Sequence, residues 1–176
     1  MNNLIASTPE FGYPTLAISG AKIAELTQSL VDAGISYRMG AKIEPLSLQA
    51  SDLVANGIDA VDCSGMSRWL TFHSLGQPAD FNMVDGSVEQ HQQFIDVGFK
   101  VSDYEDAKNK DGIVRVAFLK PIYDDAGLLK EAGHVLFIWN GTTYESHGGV
   151  GPGTREWDAE QHPFINLMIV YMVALP

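Results

Sequence analysis

Predictions about this chain start from one stretch, DCSGMSRWLTF, which spans residues 62–72. Its apolar side chains recur at helical spacing, so it predicts an amphipathic helix from Asp62 or Cys63 to about Leu75. Asp62 is a residue type that accepts hydrogen bonds from the first unpaired N–H groups of a helix. The stretch therefore predicts a helix that presents a thiol in its first turn. Its apolar residues are Met66, Trp69, Leu70 and Phe72.

Cys63 is the only cysteine of the chain, so a disulfide scaffold is excluded. A thiol in the first turn of a helix faces unpaired N–H groups and the positive end of the helix dipole. Both favour the thiolate, which is the nucleophilic form, and the small Ser64 and Gly65 leave room for a substrate carbonyl. A free cysteine can also be a small hydrophobic residue of the core. The segment alone leaves both interpretations open.

A nucleophilic cysteine needs a base, and the chain has 5 histidines. His73 lies nearly three turns from Cys63 on the same predicted helix, which is too far for contact. His134 opens an apolar strand at the rim of a buried sheet, where a base can be held in place, and His147 ends the partner strand. The others are His91, in a polar helix where a surface position is expected, and His162, in a loop.

Predicted helices precede predicted strands along the chain, which indicates an α+β domain. Asn140-Gly141 predicts a tight type I′ hairpin. Gly148–Gly153 is expected to be a glycine-rich loop, and Gly76 with Pro78 is expected to end the helix of Cys63. The other predicted helices are Leu16–Ala33, Leu48–Ala55 and Ser87–Phe94, and the predicted strands are Gly112–Leu119, His134–Trp139, Thr142–His147 and Phe164–Ala174.

The chain has 22 acidic and 11 basic residues and a formal net charge of -11, so phosphate backbones should repel it and no nucleic-acid partner is expected.

The most apolar stretch of the chain, Phe164–Leu175, is about a dozen residues long, whereas a membrane span needs about 20. No membrane partner is expected. Met1–Glu10 shows no signal sequence. We expect the chain to stay in the cytoplasm or to be exported by another route.

A metal site is not expected. One cysteine and scattered histidines do not supply the closely spaced ligands that zinc needs. A calcium loop within Asp103–Gly112 would need acceptors where Lys108 and Lys110 stand. The sequence therefore predicts no metal and no other cofactor.

Three features, taken in their order along the chain, resemble the NlpC family. They are the segment Asp62-Cys63-Ser64-Gly65, a strand that opens with His134-Val135, and the hairpin after that strand. This family comprises papain-like cysteine peptidases and amidases of bacterial cell-wall peptides. Tyr37-Arg38-Met39-Gly40 resembles the tyrosine-x-x-glycine segment of the family. The resemblance spans roughly residues 16–147 and implies a papain-like fold, with N-terminal helices on a mostly antiparallel sheet.

The whole chain, residues 1–176, is then expected to be one NlpC-like domain. Residues 41–61 form a longer insertion before the cysteine than the family usually shows.

The resemblance also implies catalytic roles. Cys63 matches the nucleophile and His134 the base. When residues are counted through the short turn Asn140-Gly141, the third catalytic position of the family falls on Glu145. His147 lies two residues later, and its side chain is expected on the same face of the strand. Either could orient His134.

Further roles concern the substrate. The resemblance implies that Tyr37 helps to bind the oxyanion or acyl group, and that Asp62 and Ser64 hold the amino end of a stem peptide. Asp62 is equally expected to cap the helix. An exposed position of Tyr37 on the surface is the alternative.

The function implied is that of a cysteine hydrolase that cleaves an amide bond in peptidoglycan stem peptides, most often between D-glutamate and a diamino acid. The resemblance implies that the partner is the stem peptide. It also implies that the protein comes from a bacterium or a phage and acts at the cell wall. Alternatives are an amidase or transferase acting on another amide, a delivered antibacterial toxin, a phage lytic enzyme or a non-hydrolytic wall-binding module. No protein inhibitor can be inferred.

Overall fold

Helices come first and strands follow in the computed structural model of the chain, which describes residues 12–75, 81–157 and 164–176. The predicted α+β class is therefore confirmed. The helices are α1 (Gly20–Asp32), α2 (Ala50–Leu53), α3 (Cys63–Ser74) and α4 (Ser87–Val97). The strands are β1 (Lys100–Ser102), β2 (Val114–Leu119), β3 (Ile122–Tyr123), β4 (Leu129–Glu131), β5 (His134–Trp139), β6 (Thr142–His147), β7 (Gly151–Glu156) and β8 (Ile169–Ala174).

The main sheet, within the described residues, has the strand order β1-β8-β2-β5-β6-β7, and all neighbouring strands are antiparallel. β3 and β4 pair separately. β2 is buried along its whole length and runs beside β5, with Leu119 opposite His134. His134 therefore stands at one end of an interior strand.

Apolar clusters cover both faces of the sheet in the described part of the chain. The larger cluster lies between sheet and helices, where α1 packs against β7 and α3 packs against β5 and β6. Trp69 of α3 is fully buried there, and its indole N–H donates to the carbonyl of Leu48 at 2.9 Å. On the opposite face, Leu136 and Ile138 belong to the smaller cluster. Packing thus holds α3 against the strand that carries His134.

The hairpin between β5 and β6 forms as predicted. Asn140-Gly141 has positive φ at both residues, 51° and 73°, as a type I′ turn requires. The turn sets a register in which Phe137 lies opposite Tyr144. Because strand side chains alternate between faces, Glu145 then shares a face with His134.

The start of α1 differs from the prediction. The apolar pattern predicts a helix from Leu16, but α1 begins at Gly20 because the Ser19 hydroxyl accepts the Lys22 N–H at 3.3 Å and caps the helix there. Leu16 instead donates its N–H to the carbonyl of Val173 in β8. A sheet contact that is distant in sequence therefore shortens the helix.

Two predictions about the C-terminal part were wrong. The strand expected from Phe164 begins only at Ile169, because residues 165–167 form a 3-10 turn. The glycine-rich segment 148–153 is not wholly a loop, because β7 begins at Gly151. Glycine and proline are uncommon inside strands, so this edge strand has no local signal.

Two of the predicted helices end at other residues than expected. The helix predicted at Leu48–Ala55 is α2 followed by a 3-10 turn at Val54–Asn56, and α4 continues beyond Phe94 to Val97. β1, β3 and β4 were not predicted. The expected helix end at Gly76 and Pro78 lies outside the described residues. Where the structure is described, no helix is both long and apolar enough to cross a membrane.

Candidate active site

Cys63 is the first residue of α3, and the residues before it fix its position. The Val61 carbonyl accepts the Ser146 hydroxyl at 2.7 Å, which joins the start of α3 to β6. Asp62 is the N-cap, as predicted, and its carboxylate accepts the Gly65 N–H at 2.7 Å. Cys63 is only 7% exposed. The thiol is thus held at the positive end of a helix beside the sheet.

His134 interacts with groups on two sides. Its Nε2 lies 2.6 Å from Oε2 of Glu145, and the side chain of Cys63 lies close enough to the ring to affect its pKa. Because the carboxylate engages Nε2, Nδ1 is the nitrogen left to face the sulfur. Burial disfavours the charged ring, but the hydrogen bonds and charges of Cys63 and Glu145 outweigh it and raise the pKa of His134 from 6.5 to about 9. The ring can therefore hold a proton beside the sulfur at neutral pH.

Glu145 is held as a buried anion. The Thr143 hydroxyl donates to its Oε1 at 2.9 Å, and Arg155 donates to the same oxygen from Nε at 2.9 Å. Burial opposes ionisation, but the hydrogen bonds and charges of His134 and Arg155 lower the pKa of Glu145 from 4.5 to about 2. The carboxylate is thus ionised across the neutral range and orients the imidazole.

Thr143 and Arg155 are additional site residues that the sequence analysis does not contain. Thr143 stands two residues before Glu145, so strand alternation could have placed it on the same face. Arg155 lies opposite Thr143 on β7. Its role carries no local signal, because it depends on a strand that was not predicted.

His147, the other expectation for the third position, is not the residue that hydrogen-bonds Nε2 of His134. Its Nδ1 lies 3.2 Å from the Gly148 carbonyl oxygen, and its side chain lines the cleft beside the site. The structure thus brings Glu145 to the base and leaves His147 at the cleft wall.

Asp62 and Ser64 both contact Lys42. The Lys42 ammonium lies 2.8 Å from each carboxylate oxygen of Asp62 and 2.6 Å from the Ser64 hydroxyl. It also lies 2.9 Å from Oδ1 of Asp85. Burial disfavours the charged amine, but these carboxylates outweigh it and raise the pKa of Lys42. The two residues that the resemblance assigns to an amino group therefore already hold one. Lys42 is absent from the predicted site, because a lysine in the 41–61 insertion has no pattern that assigns it a partner.

Tyr37 lies near the nucleophile, as the resemblance implies. Burial and the negative charges of Cys63 and Asp62 raise the pKa of its hydroxyl, which donates to the sulfur of Met39 at 3.7 Å. Tyr37 and His134 line a cleft of about 400 Å³. Other residues lining this cleft are Leu119, Glu131, His147, Arg155, Phe164 and Met168.

His73 and His91 have hydrogen-bond partners outside the site. His73 places Nε2 2.8 Å from the Leu46 carbonyl oxygen. His91, expected at the surface, is buried, and its Nε2 lies 2.9 Å from the Tyr171 hydroxyl, because α4 packs that side onto the sheet. His162 lies outside the described residues.

Among residues 12–75, 81–157 and 164–176, no group of histidine, cysteine and carboxylate side chains could hold a metal ion. The arrangement of Cys63, His134 and Glu145 instead suits proton transfer from a thiol to a buried imidazole–carboxylate pair. Comparison with models of known protein families gives no match, and no curated protein matches the chain significantly.

Proposed function

We propose that the chain is a cysteine hydrolase with an NlpC-type papain-like fold, which cleaves an amide bond in peptidoglycan stem peptides. The bond between D-glutamate and a diamino acid is the proposed target. The observation that carries this proposal is that His134 interacts with the Cys63 side chain and, through a 2.6 Å hydrogen bond, with the buried Glu145.

The first half of the reaction forms an acyl-enzyme. The Cys63 sulfur passes its proton to His134 and attacks the carbonyl carbon of the amide. The C–N bond then breaks, His134 gives the proton to the leaving amine, and a thioester remains on Cys63. Glu145 holds the imidazole in position throughout and stabilises its charged form.

The second half releases the acid product. Water attacks the thioester carbonyl while His134 accepts its proton, and the bond to sulfur breaks. The products are a carboxylic acid and the Cys63 thiolate, and His134 returns the proton to the sulfur, so the enzyme regains its starting state.

Negative charge builds on the carbonyl oxygen in both steps. N–H groups in the first turn of α3, where Cys63 stands, and the hydroxyl of Tyr37 are donors that could stabilise this charge. The cleft beside His134 is of the size that holds a small peptide segment. Both features support an amide substrate.

The test is digestion of purified peptidoglycan of several stem-peptide types, with the products identified by mass spectrometry. We expect new amino and carboxyl ends at a single stem-peptide bond with wild-type protein and none with Cys63→Ala. Lys22→Ala, which alters an exposed ion pair with Glu25, is the matched control and should digest like the wild type. Equal turnover by wild type and Cys63→Ala would overturn the proposal.

A further inference from the structure

The group formed by Lys42, Asp62, Ser64 and Asp85, called here the ammonium cluster, adjoins the proposed nucleophile. A primary ammonium has three N–H donors. Three side chains supply acceptors to Lys42 at 2.6–2.9 Å. The cluster therefore has the composition and spacing of a complete ammonium-binding position.

The ammonium cluster is buried at one end and open at the other. The Asp62 side chain is 6% exposed, that of Lys42 19% and that of Asp85 54%. The Asp62 carboxylate also accepts N–H groups of Gly40 and Gly65, so the backbone holds it in place. An amino group from outside could approach past Asp85 only if Lys42 were absent.

We propose that Lys42 is a specificity-determining residue, whose ammonium fills the amine position beside Cys63 and excludes substrates with a free amino group there. The inference rests on the proposed function and deepens it. The substrate class is then a stem peptide whose amino end is in amide linkage, as it is while joined to the glycan.

Competition explains why a tethered ammonium excludes a free one. A side chain on the same chain binds at an effective concentration of millimolar order or more, which dilute peptides do not match. If a peptide amine displaced the Lys42 ammonium from the carboxylates, that ammonium would remain close to the amine as a second positive charge. An amide-linked amino end carries no charge and does not compete for the carboxylates.

The direct test adds a small free ammonium compound to the Lys42→Ala variant, in which the ammonium position is empty. This variant lacks Cγ, Cδ, Cε and Nζ, the same atoms that n-propylammonium contains. We expect the thermal midpoint of the variant to rise with the logarithm of n-propylammonium concentration, while the wild type and Lys22→Ala stay constant. 1-Propanol, the uncharged ligand of the same length, should have no such effect. Equal shifts in all three proteins would overturn the inference.

Peptide pairs test the same point by activity. With matched stem peptides that are N-acetylated or free at the amino end, the wild type should prefer the acetylated form. Lys42→Ala should shift the ratio of kcat/KM towards the free amine by about tenfold or more, because a charge-assisted hydrogen bond is gained. A ratio that is the same in both proteins would contradict the assigned role.

The wild type alone provides a measurement if Lys42→Ala does not fold. Protection of Cys63 from iodoacetamide by the two peptides reports binding without turnover. Protection by the acetylated peptide at least equal to that by the free amine supports the inference, and stronger protection by the free amine overturns it. Failure of all hydrolysis would refute the proposed function, whereas the n-propylammonium titration would still decide whether the position binds an ammonium.

Discussion

Cys63 lies near two buried carboxylates, and each of them is paired with a different kind of cation. Glu145 holds the imidazole of His134, whereas Asp62 holds the ammonium of Lys42. The pKa of His134 is raised to about 9, so its proton can be exchanged during a reaction. The pKa of Lys42 is raised from an already high 10.5, so this cation keeps its proton.

The difference shows that the cation decides the role of each pair. Both carboxylates are buried and accept several hydrogen bonds. Only the pair with His134 contacts the thiol and can move a proton, so it suits catalysis. The Lys42 pair suits binding and stability, and the predictions below separate these two roles.

The largest effect is expected from Glu145→Gln. The neutral amide removes the charge that holds His134 protonated and oriented, so kcat/KM should fall by about 10³–10⁴-fold. The comparison variant is His147→Gln, whose loss should be at least tenfold smaller because Glu145, not His147, hydrogen-bonds Nε2 of His134. Circular dichroism would check folding. Similar losses in the two variants would show that Glu145 has no special role.

Asp62→Asn should act mainly on stability. It leaves the largely buried Lys42 ammonium paired with Asp85 alone, and removing one partner of a buried pair costs about 3–5 kcal/mol. The free energy of unfolding from urea titration measures this. Lys22→Ala should change it by less than about 0.5 kcal/mol, because that ion pair is exposed. Equal changes would mean that the Asp62–Lys42 pair contributes no more than a surface pair.

A smaller effect is expected from Thr143→Val. The change removes the hydroxyl that donates to Glu145 and that accepts the backbone N–H of Arg155 at 3.1 Å. It keeps the shape of the side chain and the bonds that the side chains of His134 and Arg155 make to Glu145. Loss of one bond to a charged group should lower kcat/KM by roughly tenfold. The pH profile should shift as well, since Glu145 would orient His134 less firmly. A tenfold loss with an unchanged profile would point to a structural role only.

The pH should also change the stability of the fold. The folded-state pKa of His134 lies above the ordinary 6.5, so its stabilising contribution is present below about pH 6.5 and is lost as pH rises through about 9. The free energy of unfolding should therefore fall over this range by about 3 kcal/mol from this group, since one pKa unit corresponds to about 1.4 kcal/mol. Urea titrations at several pH values measure it, and in His134→Gln the decline should be smaller. An equal decline in both proteins would assign it to other groups.

Much of the candidate site could be predicted from local patterns. The start of α3 follows from a capping aspartate before a helical repeat, and β5 and β6 follow from an Asn-Gly turn between two strands. Alternation then places both Glu145 and His147 on one strand face. Arg155 could not be predicted, because β7 consists largely of glycine and proline at its start and shows no strand pattern.

The sequence by itself determined the position of the thiol at a helix start, the hairpin and the two candidates for the third site residue, because each depends on residues close together in the chain. Only the tertiary structure decided between Glu145 and His147, and only it brought Lys42 to Asp62. Those contacts depend on strand pairing and on the path of the 41–61 insertion, where residues far apart in sequence meet in a buried environment. There, ion pairs form only where the whole fold places both charges within contact.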